Sequence, residues 1–332
     1  MTQISYLIKA LNLIIWPALM TLMMLSSVAQ AQTEYPNRPV KIVIPFPVGG
    51  LSDSLARLYG KELSERLGQP FIVESKPGAS TNIGAAYVAS ATNDGYTLLV
   101  TTIATNALNK WSNRPLSFDP HGFSEIGMLG VNTLYVMVGA NSPYRTVQDI
   151  VKAAKENPQG LSYGSFGIGT PNHMLAEMFK QSAGIQKLTH VPYKGASDSS
   201  IDLMAGRIDF MIDVMPNTAP HVRNGRLKGL AVSTLQRVSS FPDIPTIAES
   251  GVPGFDVSAW DALFAPAGTP PAVLEKVGQA MQKILADESL KQQLSSRGSE
   301  SSPTTPGGLR SFIQVEIERW GQAIKRSGTT VD

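Results

Sequence analysis

The chain has 332 residues, of which 16% are charged, a formal net charge of +2 at neutral pH and no cysteine. Basic and acidic residues are dispersed and nearly balanced, so the electrostatic footprint of a nucleic-acid-binding protein is missing. Without cysteine there are neither disulfides nor thiolate metal sites. A chain of this length can bury a core as one large domain or as two of ordinary size.

The first 31 residues have the layout of a secretory signal peptide. Lys9 precedes an apolar run at 10–25, and small residues then lead to Ala29-Gln30-Ala31, an A-x-A cleavage site. A membrane anchor is the alternative, but Pro17 interrupts a run already shorter than the roughly 20 apolar residues of a spanning helix. We predict cleavage after Ala31 and export to the periplasm of a Gram-negative bacterium.

A first block of alternating strands and helices follows a proline-rich entry. Three runs rich in β-branched residues predict buried strands: KIVIPF from Lys41, FIVES from Phe71 and YTLLVTT from Tyr96. Between them, amphipathic patterns predict helices at 53–67 and 82–91. Strand–helix alternation of this kind is typical of parallel βαβ units with helices on both faces of the sheet.

A second block of the same kind begins near TLYVMVGA at residue 133. Its predicted helices lie at 146–156, 172–182 and 197–206, and its predicted strands are LSYGS, LTHVPY, IDFMIDV and LKGLAVST. The tail from 270 to 325 is predicted to be largely helical, with breaks at Gly298 and SPTTPGG. We find no repeat of about 20–50 residues, which argues against a solenoid.

The two blocks predict an α/β protein with two lobes. We expect lobe 1 to begin with residues 32–130, lobe 2 to comprise 131–235, and residues 236–332 to return to lobe 1. The chain would then cross between the sheets near residues 131 and 236. Two lobes joined by two crossings form a cleft that can close on a ligand by hinge motion.

Two glycine-rich loops predict an anion site in that cleft, because ligands of α/β sheets bind beyond the carboxyl ends of the strands. Glycine lets backbone N–H groups approach a ligand closely. The helix that follows adds unpaired N–H donors and a partial positive charge. The first loop comprises residues 45–53 and contains Gly49 and Gly50. The second loop comprises residues 164–173 and contains Gly167 and Gly169. Ser165 and Thr170 can add hydroxyl donors.

Each loop taken alone is equally well explained as a turn before a helix. Ser52 or Asp53 would then be the helix N-cap in the first loop and Thr170 in the second. Two matching loops, one in each lobe, favour ligand binding. A nucleotide is disfavoured, because Asn172 stands at the third glycine position of the incomplete G-x-G-x-x-G pattern and no P-loop lysine follows either loop.

The residues do not assemble a catalytic site. Tyr163 takes the place of the first glycine of a G-x-S-x-G motif around Ser165. His173 either donates to the ligand or packs. Asp213, inside the apolar run FMIDVM, needs partners; it could orient helix N–H groups, bind a ligand ammonium or hydroxyl, or hold water. The histidines show no metal-binding spacing: His121, His173, His190 and His221. We therefore predict neither an enzyme, nor a metal, nor a cofactor; an exported hydrolase or lyase that uses Asp213 and His173 is the alternative.

Four long segments resemble one family, the periplasmic substrate-binding receptors of tripartite tricarboxylate transporters, also called Bug receptors. They are YPNRPVKIVIPFPVGGLSDSLAR, ESKPGASTNIGAAYVASATNDGYTLL, VPYKGASDSSIDLMAGRIDFMID and WDALFAPAGTPPAVLEKV. The resemblance covers essentially the whole chain after the signal peptide, with the segments in the same order.

The resemblance implies a two-lobed, Venus-flytrap-like periplasmic-binding-protein fold. Receptors of this family capture a small organic carboxylate with backbone amides and hydroxyls of the two loops and deliver it to a pair of membrane permeases. We expect a monomer with no nucleic-acid partner. By position the resemblance implies these ligand-binding residues: Phe46, Val48, Gly49, Gly50, Ser52, Asp53, Thr105, Ser165, Phe166, Gly167, Gly169, Thr170, His173 and Asp213.

The chain departs from the family pattern at Leu51-Ser52, at Asn106 and at Asn109-Lys110. Val48 and Phe166 add apolar bulk to the two loops, which suits an aromatic acid or a dicarboxylate such as terephthalate, or is ordinary core packing. The nature of the ligand therefore stays open at this point. So does a second role, in which the closed receptor signals to a sensory partner instead of a permease.

Overall fold

The computed structural model describes residues 35–79, 81–111, 115–168, 170–238, 240–296, 298–302 and 304–327. The predicted signal peptide and Gly169 lie outside these residues. From Arg38 onward the described residues belong to one compact unit. Within them, we find no helix that combines the length and the apolar character needed to cross a membrane.

The described elements alternate much as the sequence predicts. The strands are β1 (Val40–Ile44), β2 (Phe71–Ser75), β3 (Thr97–Thr102), β4 (Phe123–Asn132), β5 (Leu134–Gly139), β6 (Leu161–Ser165), β7 (Leu188–Pro192), β8 (Phe210–Val214), β9 (Leu227–Val232), β10 (Ala259–Pro266) and β11 (Ser299–Glu300). The helices are α1 (Leu51–Leu67), α2 (Asn82–Ala89), α3 (Val147–Glu156), α4 (Pro171–Ser182), α5 (Ala196–Met204), α6 (Met215–Arg223), α7 (Pro271–Leu285), α8 (Glu288–Ser296) and α9 (Pro306–Ser327). A π-helical turn (Ala104–Leu108) follows β3.

The strands form two sheets, in the orders β11-β4-β10-β3-β1-β2 and β7-β6-β8-β5-β9. As predicted, β1 pairs in parallel with β2 and β3, and β6 pairs in parallel with β7 and β8. Each sheet also contains antiparallel pairs, because β10 is antiparallel to β3 and β4, and β5 is antiparallel to β8 and β9. The chain leaves the first sheet at β4 and enters the second at β5, and it returns from β9 into the first sheet at β10.

Both crossings join the carboxyl edges of the two sheets. Thr133 alone separates β4 from β5, and the segment 233–258 connects β9 to β10. The crossings are hydrogen-bonded to each other, since the Ser233 N–H donates to the Leu134 carbonyl (2.9 Å) and the Leu134 N–H donates to Ser233 Oγ (3.1 Å). Because β1, β3, β6 and β8 all end at these edges, the loops that follow them lie on the side where the sheets are joined.

The C-terminal helix α9 packs against β4, against the π-helical turn and against α4 of the second sheet. Its buried Glu316 accepts hydrogen bonds at Oε2 from the indoles of Trp260 (3.2 Å) and Trp320 (3.0 Å). Burial raises the pKa of this carboxyl group. The helix therefore contacts elements of both sheets.

The sequence prediction missed several elements. The long strand β4, the strand β10 and the helix α6 were not predicted, and α1 begins two residues before its predicted start. The two-lobed α/β fold itself is confirmed by the two joined sheets. The exact lobe boundaries, 32–130, 131–235 and 236–332, remain predictions.

Candidate functional site

The first loop brings a pair of glycines to the start of α1. Gly50 is the residue before the helix, with extended backbone (φ −80°, ψ 179°), and no side chain caps the helix there. Gly49 has φ +94°, a conformation that favours glycine. Asp53 Oδ2 accepts a hydrogen bond from the Gly49 N–H (3.0 Å), while Asp53 Oδ1 pairs with Arg57 (2.9 Å). Asp53 therefore fastens the turn, and its charge is balanced by Arg57.

The second loop has a matching design. Gly167 has φ +122°, and Thr170 precedes α4 with extended backbone. Thr170 does not cap α4 with its side chain, because its hydroxyl donates instead to the Gly167 carbonyl (2.8 Å). Pro171 opens the helix, where its missing N–H costs nothing. The predicted contribution of Gly169 cannot be placed, since that residue lies outside the described part of the chain.

The helix α3 has a capped N-terminus and serves as a comparison for the two loop helices. At α3, Thr146 Oγ1 accepts from the Asp149 N–H (3.1 Å) and Asp149 Oδ2 accepts from the Thr146 N–H (2.9 Å), a complete capping box. Both loop helices, α1 and α4, lack such a cap. Their first-turn N–H groups are thus left to other acceptors, as an anion site requires.

Open space borders the glycines of the first loop. A Cβ atom at Gly49 would meet no atom within 4 Å, and one at Gly50 would meet only the Pro47 carbonyl oxygen at 3.9 Å. Val48 is 65% exposed, and Ile168 at the tip of the second loop is 49% exposed. Phe46, Phe166 and the backbone of both loops are partly accessible. The loops therefore present bare backbone beside apolar side chains.

Ser165 is fully buried and supports the second loop from below. Its Oγ accepts from the Gly167 N–H (3.1 Å) and lies 2.5 Å from His190 Nε2. The His190 ring stacks on His173, with centroids 4.0 Å apart and planes 8° apart, and Tyr163 stacks on His190 at 5.0 Å. Burial and the neighbouring His190 lower the pKa of His173 to about 4, so this ring is neutral at physiological pH. Of the two roles considered for His173, packing is the one its stacked, buried ring fits.

Asp213 is fully buried at the end of β8. Its Oδ1 accepts hydrogen bonds from Asn172 Nδ2 (3.1 Å) and from the Val214 N–H (2.7 Å). Asn172 also donates to the Ile212 carbonyl (2.8 Å). Because Asn172 belongs to the first turn of α4, Asp213 orients the N-terminus of that helix, one of the roles that the sequence left open.

Thr105 is buried in the π-helical turn after β3. Its hydroxyl is hydrogen-bonded to Thr101 and to Thr81 (2.8 Å). Thr81 has φ +78°, a strained conformation for a β-branched residue. This hydroxyl network ties the π-helical turn to the start of α2. A π-helical turn at a sheet edge is a frequent feature of functional sites.

The structure adds a residue that the sequence reasoning overlooked. Asp261 on β10 is 2% exposed, and its carboxyl oxygens accept from Ser52 Oγ (2.5 Å) and Asn132 Nδ2 (2.7 Å). Burial raises its pKa to about 6, against the lowering effect of the two hydrogen bonds. An acid inside the apolar run AWDALFAP is the same signal that drew attention to Asp213, and it was available in the sequence.

Among the described residues, no group of three His, Asp or Glu side chains is placed to hold a metal ion. The polar side chains of the two loops bond mainly to backbone and to each other, so the arrangement can bind and orient a ligand.

Two α/β sheets joined by two crossings, with glycine-rich loops at the joined edges, are the architecture typical of periplasmic binding proteins. Residues 55–329 match the tripartite tricarboxylate transporter family receptor, and the chain belongs to that family. It is 34% identical over 300 residues to a Pseudomonas protein encoded between tcbD and tcbE, covering 90% of this chain and 89% of that protein. It is 30% identical over 298 residues to BugT of Bordetella pertussis, covering 89% and 90%. The family resemblance seen in the sequence is thereby confirmed.

Solved structures agree with this assignment. Rpa4515 of R. palustris, determined with adipate, superposes with a TM-score of 0.84 at 34% identity, covering 90% of this chain and 99% of that one. The periplasmic binding protein BugD gives a TM-score of 0.78 at 31% identity, covering 89% and 99%. MatC of Rhodopseudomonas palustris, with bound malate, gives 0.78 at 28% identity, covering 87% and 100%. Two of these relatives were thus determined with a small carboxylate, and the third is a periplasmic binding protein.

Proposed function

We propose that the chain is a periplasmic receptor that binds a small organic carboxylate between its two sheets and delivers it to the membrane permeases of a tripartite transporter. The observation that carries the proposal is the pair of uncapped helices, α1 and α4, which begin at glycine loops on the joined edges of the two sheets. Backbone N–H groups at such ends bind carboxylates without a basic side chain.

The site residues take two kinds of role in this proposal. Backbone at Gly49, Gly50, Gly167 and Thr170 borders the ligand, because these residues are accessible and flank the uncapped helix ends. The N–H groups of Gly49 and Gly167 are themselves bonded to Asp53 and Ser165, so the donors to the ligand come from the first turns of α1 and α4. The buried side chains fix that backbone in place: Ser52, Asp53, Thr105, Ser165, His173 and Asp213. Phe46, Val48 and Phe166 supply the apolar contacts.

A dicarboxylate with an apolar middle is the ligand class that this site supports best. Val48 and Ile168 are unusually exposed for apolar side chains and lie in the two loops. A methylene chain or an aromatic ring between two carboxylates would cover them and recover the hydrophobic free energy of their exposed surface. A relative determined with adipate supports this choice. Adipate and terephthalate are therefore the first ligands to test.

Thermal-shift screening of the protein purified from the periplasm tests the proposal. We expect adipate or terephthalate to raise the melting temperature more than malate or acetate does, with no turnover of the ligand. Ligand at 100 times its Kd should stabilise the fold by about 2.7 kcal/mol. Mass spectrometry of the same sample checks that cleavage follows Ala31. If no mono-, di- or tricarboxylate shifts the melting temperature, the proposal is wrong.

A further inference from the structure

One buried acid connects the first loop to the first crossing between the sheets. Asp261, near the start of β10, is hydrogen-bonded through Oδ1 to Ser52 in the first turn of α1 (2.5 Å). Through Oδ2 it is bonded to Asn132, the last residue of β4 (2.7 Å). Thr133, the single residue of the crossing, comes directly after Asn132. The proposed function assigns no role to this acid.

Asp261 lies behind the helix end that would receive the ligand. Ser52 is two residues past Gly50, so only the first turn of α1 separates the Asp261 carboxyl group from an anion bound at that turn. Two negative charges about 5–10 Å apart in a partly buried setting repel measurably. Each raises the pKa of the other. A bound carboxylate therefore favours the protonated form of Asp261.

The charged and titratable groups around Asp261 do not offset this repulsion. On α1, Asp53 is paired with Arg57 (2.9 Å), and the Tyr59 hydroxyl donates to the Leu129 carbonyl (2.5 Å). On β3, the residue paired with Asp261 is the uncharged Thr102. Glu300 lies on β11, which β4 separates from β10; burial and the charge of Glu300 raise the pKa of Tyr135. The pKa of Asp261 itself, about 6, reflects its burial and its bonds to Ser52 and Asn132.

The Asn132 carboxamide can form a hydrogen bond with Asp261 whether Asp261 is ionised or protonated. Its Nδ2 donates to Asp261 in the arrangement observed. Its Oδ1 is buried and has no hydrogen-bond partner among the described residues. Ser299 on β11 is paired with Asn132, and its Oγ is likewise buried without a hydrogen-bond partner among those residues. Rotating the amide by about 180° would present Oδ1 as an acceptor to a protonated Asp261. The acid can therefore change charge without leaving its own carboxyl group unpaired.

We propose that Asp261 is a positioning residue for the ligand carboxylate and that it takes up one proton from solvent when the ligand binds. The inference rests on the proposed function. Ionised Asp261 opposes the ligand through the first turn of α1, whereas protonated Asp261 holds Ser52 in place without that repulsion. Affinity therefore increases as the pH falls through the pKa of the bound state, and it levels off below the pKa of the free state.

Titration calorimetry with adipate and terephthalate at pH 6, 7 and 8, in PIPES and in imidazole, tests the inference. Both ligands are ionised over most of this range, and the difference between buffers counts the protons taken up. We expect an uptake of roughly 0.5–1 proton at pH 7 and a roughly tenfold gain in affinity from pH 8 to pH 6. Asp261→Asn should show no uptake and a flat pH profile, with affinity at pH 8 at least that of the unaltered protein.

Asp94→Asn is the matched control, because Asp94 is an exposed acid paired with Arg38 just before the start of β3, at the opposite edge of the first sheet. It should keep the pH profile of the unaltered protein. Binding without proton uptake in the unaltered protein would overturn the inference and leave the proposed function intact, even if Asp261→Asn does not fold. An identical pH profile in Asp261→Asn would do the same. Absence of binding at every pH would overturn both.

Discussion

Gly50 is the glycine of the first loop where a side chain can be added without backbone strain. Its extended conformation is accessible to any residue, and a Cβ there would meet no atom closer than 3.9 Å. Gly50→Val should therefore fold normally while its side chain fills the space in front of the α1 N-terminus. We expect the affinity for the ligand carboxylate to fall about tenfold or more, equivalent to about 1.4 kcal/mol. Calorimetry measures the affinity, and thermal melting without ligand measures the fold.

Gly307→Val provides the comparison for that variant. Gly307 also has open space around it, and it lies at the start of α9, where Arg310 pairs with Glu125 near the beginning of β4. That end of β4 is opposite to the edge that carries the two loops. Affinity should be unchanged in Gly307→Val. Equal affinities in the two variants would show that the first loop is only a turn.

At the scale of single residues, the sequence indicated the glycine loops before α1 and α4 but not the side-chain partners that hold them. The glycine pairs and the uncapped helix starts follow from local patterns. The bond of Ser52 to Asp261 joins residues 209 positions apart, and that of Asn132 to Asp261 joins residues 129 apart. No local pattern encodes such pairings, and the sequence did not show that the hydroxyls of Ser52 and Ser165 have partners within the protein. Ligand binding by these two residues remains a prediction.

At the scale of elements, α9 depends on one small residue for its docking. Gly321 faces the indole of Trp111, and a Cβ at this position would overlap the ring. The π-helical turn with Thr105 leads directly into the short 3₁₀ turn that ends at Trp111. The absence of a side chain at Gly321 thus lets the C-terminal helix pack closely on the segment behind the candidate site.

We expect Gly321→Ala to lower the free energy of unfolding by about 1–3 kcal/mol, because the added methyl group overpacks the contact with Trp111. Gly307→Ala, in the same helix with open space around it, should be neutral or slightly stabilising. Denaturant unfolding of both variants measures the difference. Similar stabilities would mean that Trp111 moves aside at little cost and that the contact is unimportant.

Prediction of elements succeeded where the period was clear and failed where tertiary context decided. The helix α3, with its capping box at Thr146, begins where the pattern predicts. The strand β10 was missed because AWDALFAP carries an acid and stands next to a tail that is otherwise helical. It is a strand because it enters the first sheet between β3 and β4, a placement that depends on the whole fold.

At the scale of the whole molecule, two buried groups make opposing contributions to stability in acid. Burial lowers the pKa of His173 to about 4, so its contribution to stability is lost as the pH falls from 6.5 toward 4. Burial raises the pKa of Asp261 to about 6, so its contribution is present at low pH and is lost as the pH rises through 6. The unaltered protein should therefore show a shallow pH dependence over this range.

Single substitutions should separate the contributions of His173 and Asp261 to the pH dependence of stability. When the pH is lowered from 6.5 to 4, the free energy of unfolding of His173→Gln should rise by about 2 kcal/mol relative to that of the unaltered protein. Over the same change, the free energy of unfolding of Asp261→Asn should fall by about 2–3 kcal/mol relative to that of the unaltered protein. Urea unfolding at both pH values, compared within each variant, removes any constant effect of the substitution. Parallel pH profiles in all three proteins would contradict the assignment.

The position of β10 also constrains how the protein is made. This strand lies between β3 and β4, yet it reaches residue 266, after the whole second sheet has been synthesised. The first sheet therefore stays divided, with β4 separated from β3, until late in translation. We expect a chain whose earliest sheet must wait for its last third to stay unfolded for longer, which would suit the export predicted from its first 31 residues.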